Sequence, residues 1–269
     1  MRVLIYVGRA PSRETVIGYS APIVERAASS LTLVAAAGQE PLLQEAATRL
    51  RPAEGVPVAL RAIGGDAHQA ILAAASEHPH DLAVFGRLNR PLARILPGSR
   101  PRSRAIAQHL EPSVLRVIGP PRPLRRILLA SAGGITAIHS ARVVARLAAP
   151  LGASVTLLHV LSQQSLFFEG FGDRRAGVAQ FMAGEMSEVV TLREAAAVLR
   201  GAGVPVDLKG RAGPVIDEIL AELRGGAYDL LAIGAHRVAS ALDRILLEDI
   251  TGDLLDQSPL ATLVVKGQG

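Results

Sequence analysis

Short, strongly apolar runs alternate along this chain with stretches whose apolar positions return every three or four residues, most clearly in its second half. Arg126-Ile127-Leu128-Leu129-Ala130 has no polar face, which predicts a strand buried on both sides. Ile138 to Leu151 carries the 3.6-residue period and stops at Gly152, predicting an amphipathic helix. The alternation continues with strand Val155–Val160, helix Glu188–Leu199 closed by Gly201, strand Val204–Leu208 and helix Val215–Leu223. Strand Asp229–Ile233, helix Ile245–Leu255 and strand Ala261–Val265 complete it. Val204-Pro205-Val206-Asp207-Leu208 alternates apolar with polar and contains a proline, so it is predicted at a sheet edge. Strands alternating with helices in this way predict an α/β fold, a parallel sheet covered on both faces and joined by right-handed crossovers.

The pattern occurs twice. Gly55-Val56-Pro57-Val58 returns as Gly203-Val204-Pro205-Val206. Gly65, Ile71-Leu72-Ala73, Asp81-Leu82 and Gly86 return as Gly213, Ile219-Leu220-Ala221, Asp229-Leu230 and Gly234, all 148 positions on. Nearer the start, Arg2, Leu4, Ser30 and Thr32-Leu33 pair with Arg126, Leu128, Ser154 and Thr156-Leu157, 124 positions on. Two copies of one domain explain both offsets, the second copy carrying about 24 extra residues within 162–189. Gly119-Pro120-Pro121-Arg122-Pro123 can continue neither a helix nor a central strand. It separates repeat one, residues 1–120, from repeat two, residues 124–269.

Composition narrows the chemistry. A length of 269 residues suits two domains of ordinary size. With no cysteine, disulfides, thiolate metal sites and thiol catalysis are excluded. The seven histidines lack the paired spacing of a zinc helix, so no metal is expected. Net charge is +5, but the cations are arginines apart from Lys209 and Lys266, as a coding bias would give; no nucleic-acid partner is expected. No uninterrupted apolar run reaches 18 residues, so no membrane span is expected, and Met1–Val7 reads as a buried strand rather than a signal peptide. A cytoplasmic location is the resulting expectation. Neither lysine stands in a Walker loop and no G-x-S-x-G elbow occurs, so no catalytic residue is assigned.

The run Asp229-Leu230-Leu231-Ala232-Ile233-Gly234, then Arg244-Ile245-Leu246-Leu247, then Pro259 before Leu263-Val264-Val265, resembles the universal stress proteins. Gly213-x-x-x-x-Glu218-Ile219-Leu220 fits the same pattern, and repeat one has counterparts in Asp81–Gly86, Gly65–Leu72 and Pro112–Ile118. The resemblance implies two tandem doubly wound five-stranded sheets of order 3-2-1-4-5, of the adenine-nucleotide alpha-hydrolase-like type. It also implies an internal pseudo-dimer in which Val114–Ile118 meets Thr262–Val265. Family members that bind ATP use the switch point between strands one and four. There they place an aspartate after strand one and a G-x-x-G-x9-G-[ST] loop after strand four.

Both copies depart from that pattern. The strand-one aspartate is replaced by Gly8 in repeat one and Ala132 in repeat two. Repeat two keeps Gly234, followed by His236, but has Arg237 at the second glycine and Glu248-Asp249 at the Gly-Ser position. Two carboxylates there repel phosphate, so the second pocket is expected to be degenerate. Repeat one keeps Gly86, Arg87, Gly98, Ser99 and Arg100, which with Gly8 and Arg9 form a candidate cradle for ATP or another adenine nucleotide. A solvated basic loop is the alternative. The insertion gathers Phe167, Phe168, Phe171, Phe181 and Met182 in a chain with 3% aromatics. It is expected to be a lid or a surface for a homodimer or protein partner, or else a helix packed on its own domain. The expected function is non-enzymatic, through ligand binding or association in a stress response. The alternative is an ATP-binding, weakly hydrolysing protein that uses repeat one.

Overall fold

The structure, a computed structural model, describes residues 1–88, 107, 109–131, 133–161, 174–184, 186–235 and 250–266. The chain divides into two units, Met1–Pro123 with Pro259–Val264, and Leu124–Ser258 with Val265–Gly269. In unit 1, β1 (Arg2–Tyr6), α1 (Ser12–Ala27), β2 (Ser30–Ala36), α2 (Glu40–Leu50), β3 (Val58–Ile63), α3 (Ala67–Glu77), β4 (Leu82–Phe85) and β5 (Ser113–Arg116) follow one another. The strands lie parallel in the order β3-β2-β1-β4-β5. Burial explains the order. Val3, Leu4 and Ile5 of β1 and all of β4 are fully buried, as central strands must be, whereas β3 alternates between exposed and half-buried. Helix α3 starts in a capping box in which Asp66 accepts from the Gln69 N–H and the Gln69 side chain accepts from the Asp66 N–H.

Unit 2 contains β6 (Arg126–Ser131), α4 (Ile135–Leu151), β7 (Ser154–Leu161), α5 (Arg174–Ala183), α6 (Ser187–Gly201), β8 (Val206–Ala212), α7 (Val215–Gly225) and β9 (Leu230–Ala235). Residues 250–257 are also helical. Its strands are parallel in the order β9-β6-β7-β8. The residues that recur in the sequence hold the same register in both units. Arg2 faces Ser30 as Arg126 faces Ser154, Leu4 faces Thr32 as Leu128 faces Thr156, and Leu31 faces Val58 as Val155 faces Val206. The recurring aspartate has one task in each copy. Asp81 Oδ2 accepts the Arg2 N–H at 2.7 Å and Asp229 Oδ2 accepts the Arg126 N–H at 2.9 Å, satisfying the first donor of strand one.

Two elements of unit 2 depart from the sequence expectation. Helix α4 begins at Ile135, three residues early, where Thr136 donates to the Gly133 carbonyl. Strand β8 starts only after Pro205 and continues four residues past Leu208, through Lys209-Gly210-Arg211-Ala212. Its charges are neutralised by Glu218 and Glu222 of α7. Its glycine admits a helix: a Cβ at Gly210 would lie 2.6 Å from Val178 and 3.0 Å from Met182 of α5.

Pro121–Pro123 and Pro259–Val264, outside the bounds of repeat one, belong to unit 1. The terminal strand β10 (Ala261–Lys266) runs antiparallel to β5, with Thr262 opposite Arg116, Leu263 opposite Leu115 and Val264 opposite Val114. The proline-rich separator also packs there. Thr15 donates to the Gly119 carbonyl at 3.1 Å, and the Pro121 ring fills the space where Gly18 of α1 would carry a Cβ. Among the described residues, no helix is long and apolar enough to cross a membrane.

Candidate functional site

In unit 1 the carboxyl ends of β1 and β4 meet at the switch point, where an open α/β sheet offers its crevice. Gly8 is half-buried, and the nearest atom to a Cβ placed on it is Tyr6 Cε1 at 3.4 Å. Arg9 and Arg87 are exposed, one after each strand. Gly86 between them is buried against α1: an added Cβ would meet Ser12 Oγ at 2.2 Å and Val16 Cγ2 at 3.0 Å. Ser12 also donates to the Arg87 carbonyl at 3.4 Å, tying the loop after β4 to the start of α1. Burial, with the nearby Asp66 charge, pushes the Tyr6 hydroxyl pKa up, so it stays neutral at the end of β1.

The equivalent place in unit 2 is bonded to itself. Gly133 and Gly134 take φ of 86° and 67°, the left-handed region glycine supplies. The Gly133 N–H donates to Ser131 Oγ at 3.1 Å, and the Gly134 N–H donates to Thr191 Oγ1 of α6 at 3.1 Å. Glu188 covers the same turn, 3.4 Å from where Gly133 would carry a Cβ. Gly234 abuts Ser140 of α4, 2.6 Å from an added Cβ, as Gly86 abuts α1. Behind the turn His159 Nδ1 lies 3.0 Å from the Ser131 carbonyl, which can only accept, so this nitrogen carries the hydrogen. Phe181 stacks on the His159 ring, 5.5 Å between centroids and 10° from parallel. Burial lowers the His159 pKa, against the Ser131 bond and the Glu188 charge, which raise it.

Phe181 itself is 3% exposed, packed with Leu161 and Val189 and flanked by Val178, Met182 and Ala212. The described end of the insertion packs on its own unit: Phe181 of α5 is buried and Met182 is half-buried against it. Gly98, Ser99, Arg100, Ala132, His236, Arg237, Glu248, Asp249, Phe167, Phe168 and Phe171 lie outside the described residues.

A polar cluster escaped the sequence reading. On α7, Glu222 is 4% exposed and accepts from Lys209 Nζ at 2.8 Å, Tyr228 Oη at 2.7 Å and Arg211 Nη1 at 3.1 Å. Arg211 Nε also reaches Glu218 at 2.6 Å. Burial pushes the Glu222 carboxyl up, but donations from Lys209, Tyr228 and Arg211 outweigh it and leave the pKa below the usual range. The cluster borders a cleft of about 440 Å³ lined also by Arg126, Thr156 and Asp207. The signal for it was available: Asp207-x-Lys209-x-Arg211 has strand spacing and Glu218-x-x-x-Glu222 has helix spacing.

Solved structures share this architecture over nearly the whole chain. A universal stress protein from Archaeoglobus fulgidus superposes with a TM-score of 0.64 at 15% identity, covering 98% of this chain and 96% of its own. A Pseudomonas aeruginosa protein provisionally assigned as a universal stress protein gives 0.67 at 17% identity, covering 99% and 93%. A functionally unknown protein from Pseudomonas aeruginosa PAO1 gives 0.60 at 18%, covering 98% and 92%. At these identities the likeness concerns the fold alone. No curated protein matches the sequence. The model of the universal stress protein family matches residues 123–266, more than half of the chain. The chain belongs to the universal stress protein family.

Proposed function

We propose that this protein acts in the cytoplasm by binding and association rather than turnover, with unit 1 as the ligand-binding copy and unit 2 as a copy that no longer grips ATP. The ligand class is an adenine nucleotide or a similar phosphate-bearing anion. The observation that carries this reading is the contrast between the two equivalent turns. In unit 2 the Gly134 N–H is consumed by Thr191, and the aliphatic part of Glu188 covers Gly133. A phosphate there would have to displace a protein hydrogen bond and the Glu188 side chain packed on the turn, both unfavourable. In unit 1, Arg9 and Arg87 stand exposed after the two central strands, suited to a phosphate.

Titration calorimetry of the full chain with ATP, alongside phosphate-release assays, tests this. The expected result is one nucleotide per chain with no phosphate released. Affinity should fall at least about tenfold in the Arg9→Ala, Arg87→Ala double variant, worth about 1.4 kcal/mol. Thr191→Val should leave it unchanged. Two nucleotides per chain, binding indifferent to both arginines, or steady release of phosphate would each refute the reading.

A further inference from the structure

We propose that unit 1 presents β3 as a self-complementary edge, through which a second copy of this chain adds antiparallel to form a two-fold dimer. The first observation is exposure. Val58 and Leu60 are 39% and 38% exposed, two of only four large hydrophobics so exposed among the described residues. They stand two residues apart on one face of the outermost strand of unit 1.

The second is the direction of the backbone. Leu31 N–H bonds the Pro57 carbonyl at 2.9 Å and Ala37 N–H bonds the Ile63 carbonyl at 3.0 Å, so odd-numbered positions turn their backbone toward β2. With a period of two, Val58, Leu60 and Ala62 turn their N–H and C=O groups away from the sheet. The residues with outward backbone groups are thus the residues with the apolar row.

The third observation is what the chain does at the same row in unit 2. Val206, Leu208 and Gly210 occupy the positions of Val58, Leu60 and Ala62, and none of the three is exposed. There α5 of the insertion lies against Gly210 through Val178 and Met182. Repeat one has no such insertion. An apolar edge of this kind, whose one charge is Arg61, is a template for pairing with another chain once Arg61 Nη1 releases the Leu60 carbonyl it holds at 3.5 Å.

One register satisfies all three observations. With Leu60 opposite Leu60 of the second copy, Val58 faces Ala62 and Ala62 faces Val58, so every outward donor meets an outward acceptor. The apolar row then continues unbroken across the two-fold axis. Arg61, held at 3.1 Å by Glu77 of its own unit, falls opposite Ala59, and no like charges meet.

The absence of cysteine makes the register directly testable. Directly opposed, hydrogen-bonded residues have Cα atoms about 5.5 Å apart, within the range of about 4.4–6.8 Å that a disulfide spans. Under mild oxidation the full chain carrying Leu60→Cys should become a covalent dimer. Val58→Cys alone should stay monomeric, and Val58→Cys combined with Ala62→Cys should cross-link. In sedimentation equilibrium the unmodified chain should reach twice its 28.1 kDa mass. Leu60→Lys should weaken the association at least about tenfold, while circular dichroism verifies that the variant is folded. A chain that stays monomeric at high micromolar concentration overturns the proposal. So does a dimer indifferent to Leu60→Lys, or cross-linking at position 58 as fast as at position 60.

Discussion

The two units place the same backbone around the same threonine and then fill the space differently. In unit 1, Thr32 Oγ1 meets His80 Nε2 at 3.1 Å; in unit 2, Thr156 hydrogen-bonds Tyr228, which stands at the corresponding position. At the position of Glu222, α3 carries the buried Ala74, which offers no acceptor. Beyond Tyr228, α7 offers Glu222, and a buried carboxylate gathers Lys209, Arg211 and the phenol. One frame therefore accepts either an imidazole bonded to Thr32 or a paired ionic cluster built on Glu222. The copies diverge where side chains fill the space and agree where the backbone is held, at Asp81 and Asp229.

The largest effect should come from the element that unit 1 lacks. Phe181→Ala removes the ring stacked on His159 and opens a cavity between α5 and the strands beneath it, costing about 3 kcal/mol. Hydrogen exchange resolved by unit should show α5 and the end of β7 losing protection while unit 1 is unmoved. Equal loss in both units would erase the distinction drawn for the insertion.

Next is Glu222→Ala, which carries unit 1's solution into unit 2. Tyr228, Lys209 and Arg211 lose their shared acceptor. Because the side chains of Lys209 and Arg211 are 46% and 32% exposed, both cations can turn to water, which keeps the cost near about 2 kcal/mol. Urea unfolding of unit 2 measures this. A variant as stable as the parent would mean that the ionic cluster contributes nothing net.

The smallest effect is in acid. His80 in unit 1 and His159 in unit 2 both titrate below the usual 6.5, burial being the main cause in each. The unfolded chain therefore binds the extra protons first as pH falls through that value. Stability attributable to either imidazole is complete above about 6.5 and declines below it. His80→Tyr installs unit 2's residue in unit 1. It should remove the acid sensitivity of unit 1 and leave that of unit 2 intact, as read by hydrogen exchange at pH 7 and pH 5. Unchanged acid sensitivity in unit 1 would place its origin elsewhere.

The fold was legible because its signals are local and doubled. Apolar runs such as Ile127–Ala130 need both faces covered, and the fixed offsets tie each of them to a partner in the other copy. The continuation of β8 through Lys209-Gly210-Arg211 was not legible. Strand propensity there is poor, and the segment is held by Glu218 and Glu222 from another element and by a helix resting on a glycine. Pairing in three dimensions overrode the local signal. At the candidate site, the sequence pointed to the turns after strands one and four but not to what packs on them. Nothing in Gly133-Gly134 announces that Thr191, nearly sixty residues on, will take the Gly134 N–H. Much of the nucleotide-binding expectation, namely Gly98, Ser99, Arg100, Ala132, His236, Arg237, Glu248 and Asp249, lies outside the described residues.

The antiparallel partner of β5 lies far along the chain. Residues Thr262–Val264 leave the ribosome only after Leu124–Ser258 of unit 2 have been translated, so during synthesis β5 waits with one side of its hydrogen-bonding ladder unmet. Nascent unit 1 must keep that margin from pairing with neighbouring chains until Thr262–Val264 arrive. A chain stopped short of Thr262 would carry a first unit with a permanently open side.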